Sequence, residues 1–278
     1  MAITTLDGYI ASAKQRVQIV KTVVRTSLAV TPFSMFDVAG QPGAGVLAGT
    51  STSAGVVPTD ATVGCPDISF TSGVGYLSRV EYSNTVAGRL GIYDMLFKAG
   101  AYAYTAGTTT LSLQPDYSSR CPDYPGSGTT WGGGLEIYAE VSTAFLTGNA
   151  WQLQVTYTNS LGQAGHTTVI TPVLAAAALI LGRVFQLPLQ AGDVGVQKIE
   201  SVIVANPVTA MTAGAFNILV LRPVYTSMRS KIAGDGDVHD ILKTGMPVIY
   251  NNSALIMIPE ADSTSTGVPE VYFEIASA

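Results

Sequence analysis

Charge is what this chain has least of. Its 278 residues hold 14 Lys and Arg against 19 Asp and Glu, 12% charged in all, with a net charge of −5. That is about half the usual charged share, and a negative balance offers no general attraction to nucleic acid or to an anionic membrane. With 47% hydrophobic residues, so little charge argues against intrinsic disorder. It implies that part of the surface is covered, as in a homo-oligomer or larger assembly; the alternative is the neutral Ser/Thr-rich exterior of an all-β protein. Histidine and cysteine are scarce too, two of each. His166 follows Gly165 with no acid or nucleophile signature beside it, and no G-x-S-x-G, H-E-x-x-H or G-x-x-x-x-G-K-[ST] occurs. Cys65 and Cys121 each open a Cys-Pro-Asp, with no histidine close in sequence, and two thiols are too few for a zinc site. No charged start, apolar core and cleavage site compose a signal peptide. The longest apolar run, residues 173–181 (VLAAAALIL), is too short to span a bilayer. The expectation is a chain synthesised in a cytoplasm with its thiols reduced, and without cofactor or metal.

What charge there is sits unevenly. Residues 1–30 carry four bases and one acid, a net +3, which leaves −8 for the remainder. Leu6, Tyr9 or Ile10, Ala13, Val17, Val20 and Val24 recur at spacings of three and four, predicting a helix from Thr4 or Thr5 to about Val24. Thr5 or Thr4 serves as its N-cap and Asp7 lies in its first turn. Lys14, Arg16, Lys21 and Arg25 are then candidates for contact with a partner. Either the helix packs across a sandwich with these charges in water, or it is an arm docking on a neighbouring subunit.

Beyond it, the sequence reads as strands. Residues 73–96 (GVGYLSRVEYSNTVAGRLGIYDML) repeat the pattern of residues 195–225 (GVQKIESVIVANPVTAMTAGAFNILVLRPVY). Val74 matches Val196, Leu77 Ile199, Val80 Val202, Asn84 Asn206, Leu90 Phe216 and Ile92 Ile218. One antiparallel strand pair used twice is the expectation, and the matching positions are apolar, so both pairs are scaffold. Trp151, Leu153, Val155 and Tyr157 alternate with polar residues. Residues 237–244 (DVHDILKT) read as a short helix; the preceding Asp235 and Asp237, with His239 and Asp240, fit either a calcium site or an N-cap. Residues 40–62 form a Gly/Pro/Ser/Thr-rich loop, extended and partly buried. A second excursion, between residues 104 and 134, carries Tyr117, Tyr124 and Trp131, which serve either a glycan- or protein-binding loop or a small local core. Glu136, Glu140, Glu260 and Asp262 are available as a paired-carboxylate site for glycoside hydrolysis, but nothing in the sequence selects them. The fold expected is all-β: an antiparallel, jelly-roll-like β-sandwich over 31–278 with long Gly/Pro-rich loops, preceded by the helix or arm of 1–30. Parallel α/β is excluded for want of crossover helices.

Four stretches, MAITTLDGYIASAKQRVQIVKT, GVLAGTSTSAGVVPTDAT, FQLPLQAGDVGVQKIESV and DGDVHDILKTGMP, resemble a group of virion-associated proteins of tailed bacteriophages. The resemblance runs over nearly the whole chain, carries no motif of known chemistry, and implies a structural component of head or tail. Two readings follow. In the first the chain is a capsid decoration (cement) protein in the virion, a homo-oligomer such as a trimer bound to the major capsid protein through 1–30 and 40–62. In the second it is a tail, baseplate or receptor-binding module whose Tyr117, Tyr124 and Trp131 touch host glycan. An enzyme acting on surface polysaccharide is a third, remoter reading.

Overall fold

The computed structural model describes residues 3–70, 74–104, 106–123, 128–146, 148, 151–205 and 213–277. Helix α1 (Leu6–Ala11) leads into β1 (Ala13–Lys21), β2 (Thr31–Pro32), β3 (Gly40–Gln41), β4 (Ser51–Val56), β5 (Val74–Asn84), β6 (Gly88–Ala103) and β7 (Gly107–Thr110). Then come β8 (Glu136–Thr143), β9 (Gln152–Asn159), β10 (His166–Thr167), β11 (Val184–Leu187), β12 (Val196–Ala205) and β13 (Ala215–Thr226). The order closes with β14 (Gly236–His239), helix α2 (Ile241–Thr244), β15 (Val248–Tyr250), β16 (Leu255–Ala261) and β17 (Pro269–Ser277). The fold is all-β and antiparallel, as the alternating apolar pattern requires.

The chain forms two compact units. Met1–Val46, Pro58–Asp94 and Val224–Ala278 make the first; Leu47–Val57 and Met95–Pro223 make the second. In the first unit one sheet runs β14-β5-β17-β1-β3, with β15 also on β5, while β16 pairs with β2 and with Gly88–Asp94 of β6. Val17, Ile19, Leu77, Val80, Val271, Phe273 and Ile275 from the first sheet pack with Leu90, Ile92, Leu255 and Met257 from the other. This is sandwich packing, with period-2 alternation sending every second side chain inward. The second unit sets β10-β9-β12-β7 against β11-β8-β13-β6, with β4 on the outer edge of β6. Its core holds Trp151, Leu153, Val155, Tyr157, Ile199 and Val202 against Ile137, Ala139, Val141, Phe216, Ile218 and Val220.

Three expectations change. The N-terminal helix stops at Ala11, and residues 13–21 are a strand lying between β17 and β3. Val17, Ile19 and Lys21 are buried while Arg16 and Gln18 face out, a period of two that the coincident spacing of the valines had disguised. β-branched Val17, Ile19 and Val20 favour that extended backbone. Second, the repeated strand pairs are not hydrogen-bonded pairs. β5 and β6 lie in different sheets, as do β12 and β13, so the chain arches from one layer to the other at each repeat. Inward-facing apolar positions repeat because both strands of each arch feed one core. Third, residues 237–239 are extended in β14 and the helix covers only Ile241–Thr244. Asp240 caps it by accepting from the N–H groups of Leu242 (3.1 Å) and Lys243 (3.3 Å), and Gly245, at φ 66°, ends it in the left-handed conformation glycine takes without strain.

The loop of 40–62 contains β3 and β4, with Leu47 buried and Val46 exposed. Cys65 and Cys121 are both buried thiols, and no disulfide is found among the described residues. No helix among those residues is long and apolar enough to cross a membrane.

Candidate functional site

The amino-terminal segment combines exposed apolar side chains with exposed cations. α1 is held by its polar side chains: Thr5 Oγ1 accepts from the Gly8 N–H at 3.0 Å, and the Tyr9 hydroxyl donates to Glu274 Oε1 of β17 at 3.0 Å. Lys14 Nζ donates to the carbonyls of Tyr9 (2.7 Å) and Ser12 (2.9 Å) and lies 4.6 Å from the Tyr9 ring centroid. No residue of the helix is buried; Leu6 and Ile10, four apart and therefore on one face, are 63% and 67% exposed. Arg16 is exposed on the outer face of β1, lining a hollow of about 80 Å³ with Arg79, Glu81, Tyr272 and Glu274.

The other two bases of the set do not join that face. Lys21 is buried, donating to Val38 O at 3.0 Å, and burial brings its pKa down to about 8 against the opposing pull of Asp37 and Cys65. Arg25 is buried in an ion pair with Asp37. Of Lys14, Arg16, Lys21 and Arg25, only the first two reach solvent.

Two of the loop aromatics pack against each other. Tyr117 is buried, its ring edge-on to Trp131 with centroids 5.5 Å apart, and Trp131 packs half-buried against the core of the second unit. Gln197 Nε2 donates to the carbonyls of Thr129, Trp131 and Ser160, and Asp123 accepts from the N–H groups of Gly132 and Gly133. These bonds pin the loop, and a ring as covered as that of Tyr117 offers no face to a sugar. Tyr124 lies outside the described residues.

Each histidine has found an acid that the sequence did not pair with it unambiguously. His166 Nδ1 lies 2.8 Å from Asp193 Oδ2, which also accepts from the Tyr157 hydroxyl at 2.5 Å, while Asn159 donates to Oδ1 at 2.9 Å. Burial disfavours the charge on Asp193, yet hydrogen bonds from Tyr157, Asn159 and His166 hold its carboxyl below the usual range. In the first unit His239 bridges Asp237 (Nε2, 2.7 Å) and the Tyr225 hydroxyl (Nδ1, 2.6 Å) beside an open hollow bordered by Lys243 and Thr244. Each imidazole links side chains from separate segments, His166 to Asp193 and His239 to Tyr225. Glu260 and Asp262 are both engaged by Arg229, and Arg89 also pairs with Glu260 at 2.6 Å. Within the described residues no three His, Cys, Asp or Glu gather as a metal would need.

The sequence did not bring together one buried polar constellation, Lys98, Glu140 and Asn217: Lys98 and Asn217 are each a lone polar residue in an apolar run (MLFKAGAY, AFNILVL), and Glu140 lies in EIYAEVS. That placement was the available signal, since a buried polar group requires a partner.

No family model and no curated protein matches the chain. Among solved structures it is similar to the infectious bursal disease virus VP2 subviral particle, at 10% identity over 96% of this chain and 80% of that one, TM-score 0.20. A second is the Gx strain of that virus (10%, 95% and 79%, TM-score 0.18), and a third the capsid of Penaeus monodon metallodensovirus (8%, 96% and 73%, TM-score 0.16). At these TM-scores the likeness carries no argument about fold or function. None of the three is a bacteriophage particle.

Proposed function

We propose that this chain is a structural protein of a virus particle, and specifically a decoration protein that binds the outer shell of a tailed-bacteriophage head as a homo-oligomer. The observation that carries the reading is α1: a capped helix, tethered through Tyr9, whose apolar Leu6 and Ile10 have no cover, beside the exposed Lys14 and Arg16. An uncovered apolar pair next to two cations suits docking on a neighbouring subunit or on the acidic surface of a shell protein. The four sequence stretches similar to tailed-phage virion proteins support the same role, as does the low overall charge. The alternative is a tail or receptor-binding module touching glycan through Tyr117, Tyr124 and Trp131, and the burial of the Tyr117 ring weighs against that residue's part in it.

The test is co-sedimentation of purified protein with phage heads stripped of it. The full chain should bind in numbers comparable to the shell subunits, and a chain lacking residues 1–11 should remain folded but stay in the supernatant. Undiminished head binding by the folded truncation would sink the assignment to α1; a few copies confined to the tail would sink decoration itself.

A further inference from the structure

We infer that Lys98 and Asn217 become joined by an intramolecular isopeptide bond, with Glu140 as the proton carrier. The three residues lie on neighbouring strands of the second unit, Lys98 on β6, Asn217 on β13 and Glu140 on β8, with β13 in the middle. Asn217 and Glu140 are register partners, so their side chains share a face. Phe216, Ile218 and Val220 point into the sandwich core, which places Asn217 on the opposite side of the sheet. Yet Asn217 is 0% exposed, Glu140 2% and Lys98 5%. A lysine, a carboxylate and a carboxamide have been collected in one dry place, although hydrophobic residues would fill it more cheaply.

The geometry is that of an acyl transfer. Asn217 Nδ2, the leaving nitrogen, donates to Glu140 Oε2 at 2.9 Å, and Lys98 Nζ lies 3.9 Å from the same oxygen. One carboxylate oxygen therefore faces both the nucleophile and the leaving group. On the other side of the amide, Asn217 Oδ1 accepts from the Gly49 N–H at 3.0 Å, a donor aimed where negative charge develops when the carbonyl is attacked. Asn217 Nδ2 also donates to Leu47 O at 2.6 Å, which fixes the plane of the carboxamide. Two glycines make the approach possible. A Cβ on Gly100 would stand 2.3 Å from Asn217 Oδ1, and one on Gly49 would stand 2.5 Å from the Gly100 carbonyl carbon. Buried, oriented groups of this kind react with high effective concentration.

The step balances without any co-reactant. Glu140 takes one proton from Lys98 Nζ, and the free amine attacks Asn217 Cγ while the carbonyl oxygen gains charge against the Gly49 N–H. As the tetrahedral carbon collapses, the Cγ–Nδ2 bond breaks and Glu140 returns the proton to Nδ2. The second proton lost by Nζ leaves with the departing group. A lysine ammonium and a carboxamide become a secondary amide and an ammonium ion, with no change of oxidation state. The bond ties β6 to β13 and is independent of the virion reading.

The experiment is a mass measurement on the purified full-length chain. The expected result is a denatured chain lighter than its sequence by one ammonia, yielding on proteolysis a branched peptide that contains both Lys98 and Asn217. Lys98→Met and Glu140→Gln should each restore the full mass and separate the two peptides. Recovery of Lys98 and Asn217 in separate linear peptides from folded wild-type protein overturns the proposal. So does an ammonia loss confined to Asn217 as a succinimide, and a branch that survives Glu140→Gln removes the role of that carboxylate. The wild-type measurement decides the bond even if neither variant folds.

Discussion

Replacing Ile19 by Ala separates the strand from the helix that the amino-terminal sequence suggests. In a helix beginning at Thr5, Val17, Val20 and Val24 form the buried stripe and Ile19 lies off it. In β1 the order reverses: Ile19 is 2% exposed, packed in the first unit's core, while Val24 is 53% exposed. Ile19 also sits in register opposite Val271 of β17. Removing the three outer carbons of a buried isoleucine costs roughly 2–5 kcal/mol, the transfer free energy plus the cavity left behind. For a unit of this size that corresponds to a fall of about 4–20 °C in the transition midpoint. Val24→Ala, on an exposed side chain, should stay within about 0.5 kcal/mol. Differential scanning calorimetry on both variants reads the two effects directly, with near-ultraviolet circular dichroism to confirm native packing at low temperature. A silent Ile19→Ala beside a costly Val24→Ala would refute the strand. The same reasoning limits how an N-terminal arm can be deleted: residues 1–11 are removable, whereas a cut through residue 30 takes out a strand flanked on both sides.

Two more predictions rest on single side chains. Burial lowers the Lys21 pKa to about 8, so between that pH and its ordinary range near 10.5 the unfolded chain binds more protons than the folded one. Stability therefore rises with pH over that window, and the burden of burying the charge is fully present below it. Denaturant unfolding at several pH values should show the rise in the wild type and lose it in Lys21→Met. Asp240→Ala removes the acceptor for the Leu242 and Lys243 N–H groups, costing α2 about 1 kcal/mol. Hydrogen exchange at those two amides should quicken, with little change in the global midpoint.

Much of the strand content was legible because burial on one face leaves a period of two. Trp151, Leu153, Val155 and Tyr157 alternate in sequence and are all buried, the last three in β9 and Trp151 just before it. The amino terminus misled because Ala13 and the valines at 17, 20 and 24 satisfy a period of 3.6 as well, and only pairing with β17 and β3 decides between them. The candidate contact set was legible as charge but not as exposure. Lys21 and Arg25 turn inward because Val38 O and Asp37 await them, partners that the sequence alone cannot place beside them. The aromatic loop likewise showed its rings but not their cover.

What the sequence by itself determined is class: too little charge for disorder, alternating apolar runs for an all-β chain, and a duplicated strand pattern. Those are local properties, set by side-chain chemistry and by spacing along the backbone. Tertiary structure decided that each repeat is an arch between layers, that the chain divides into two units, and that Lys98, Glu140 and Asn217 meet. These are facts of register between strands far apart in sequence, and no local pattern carries register.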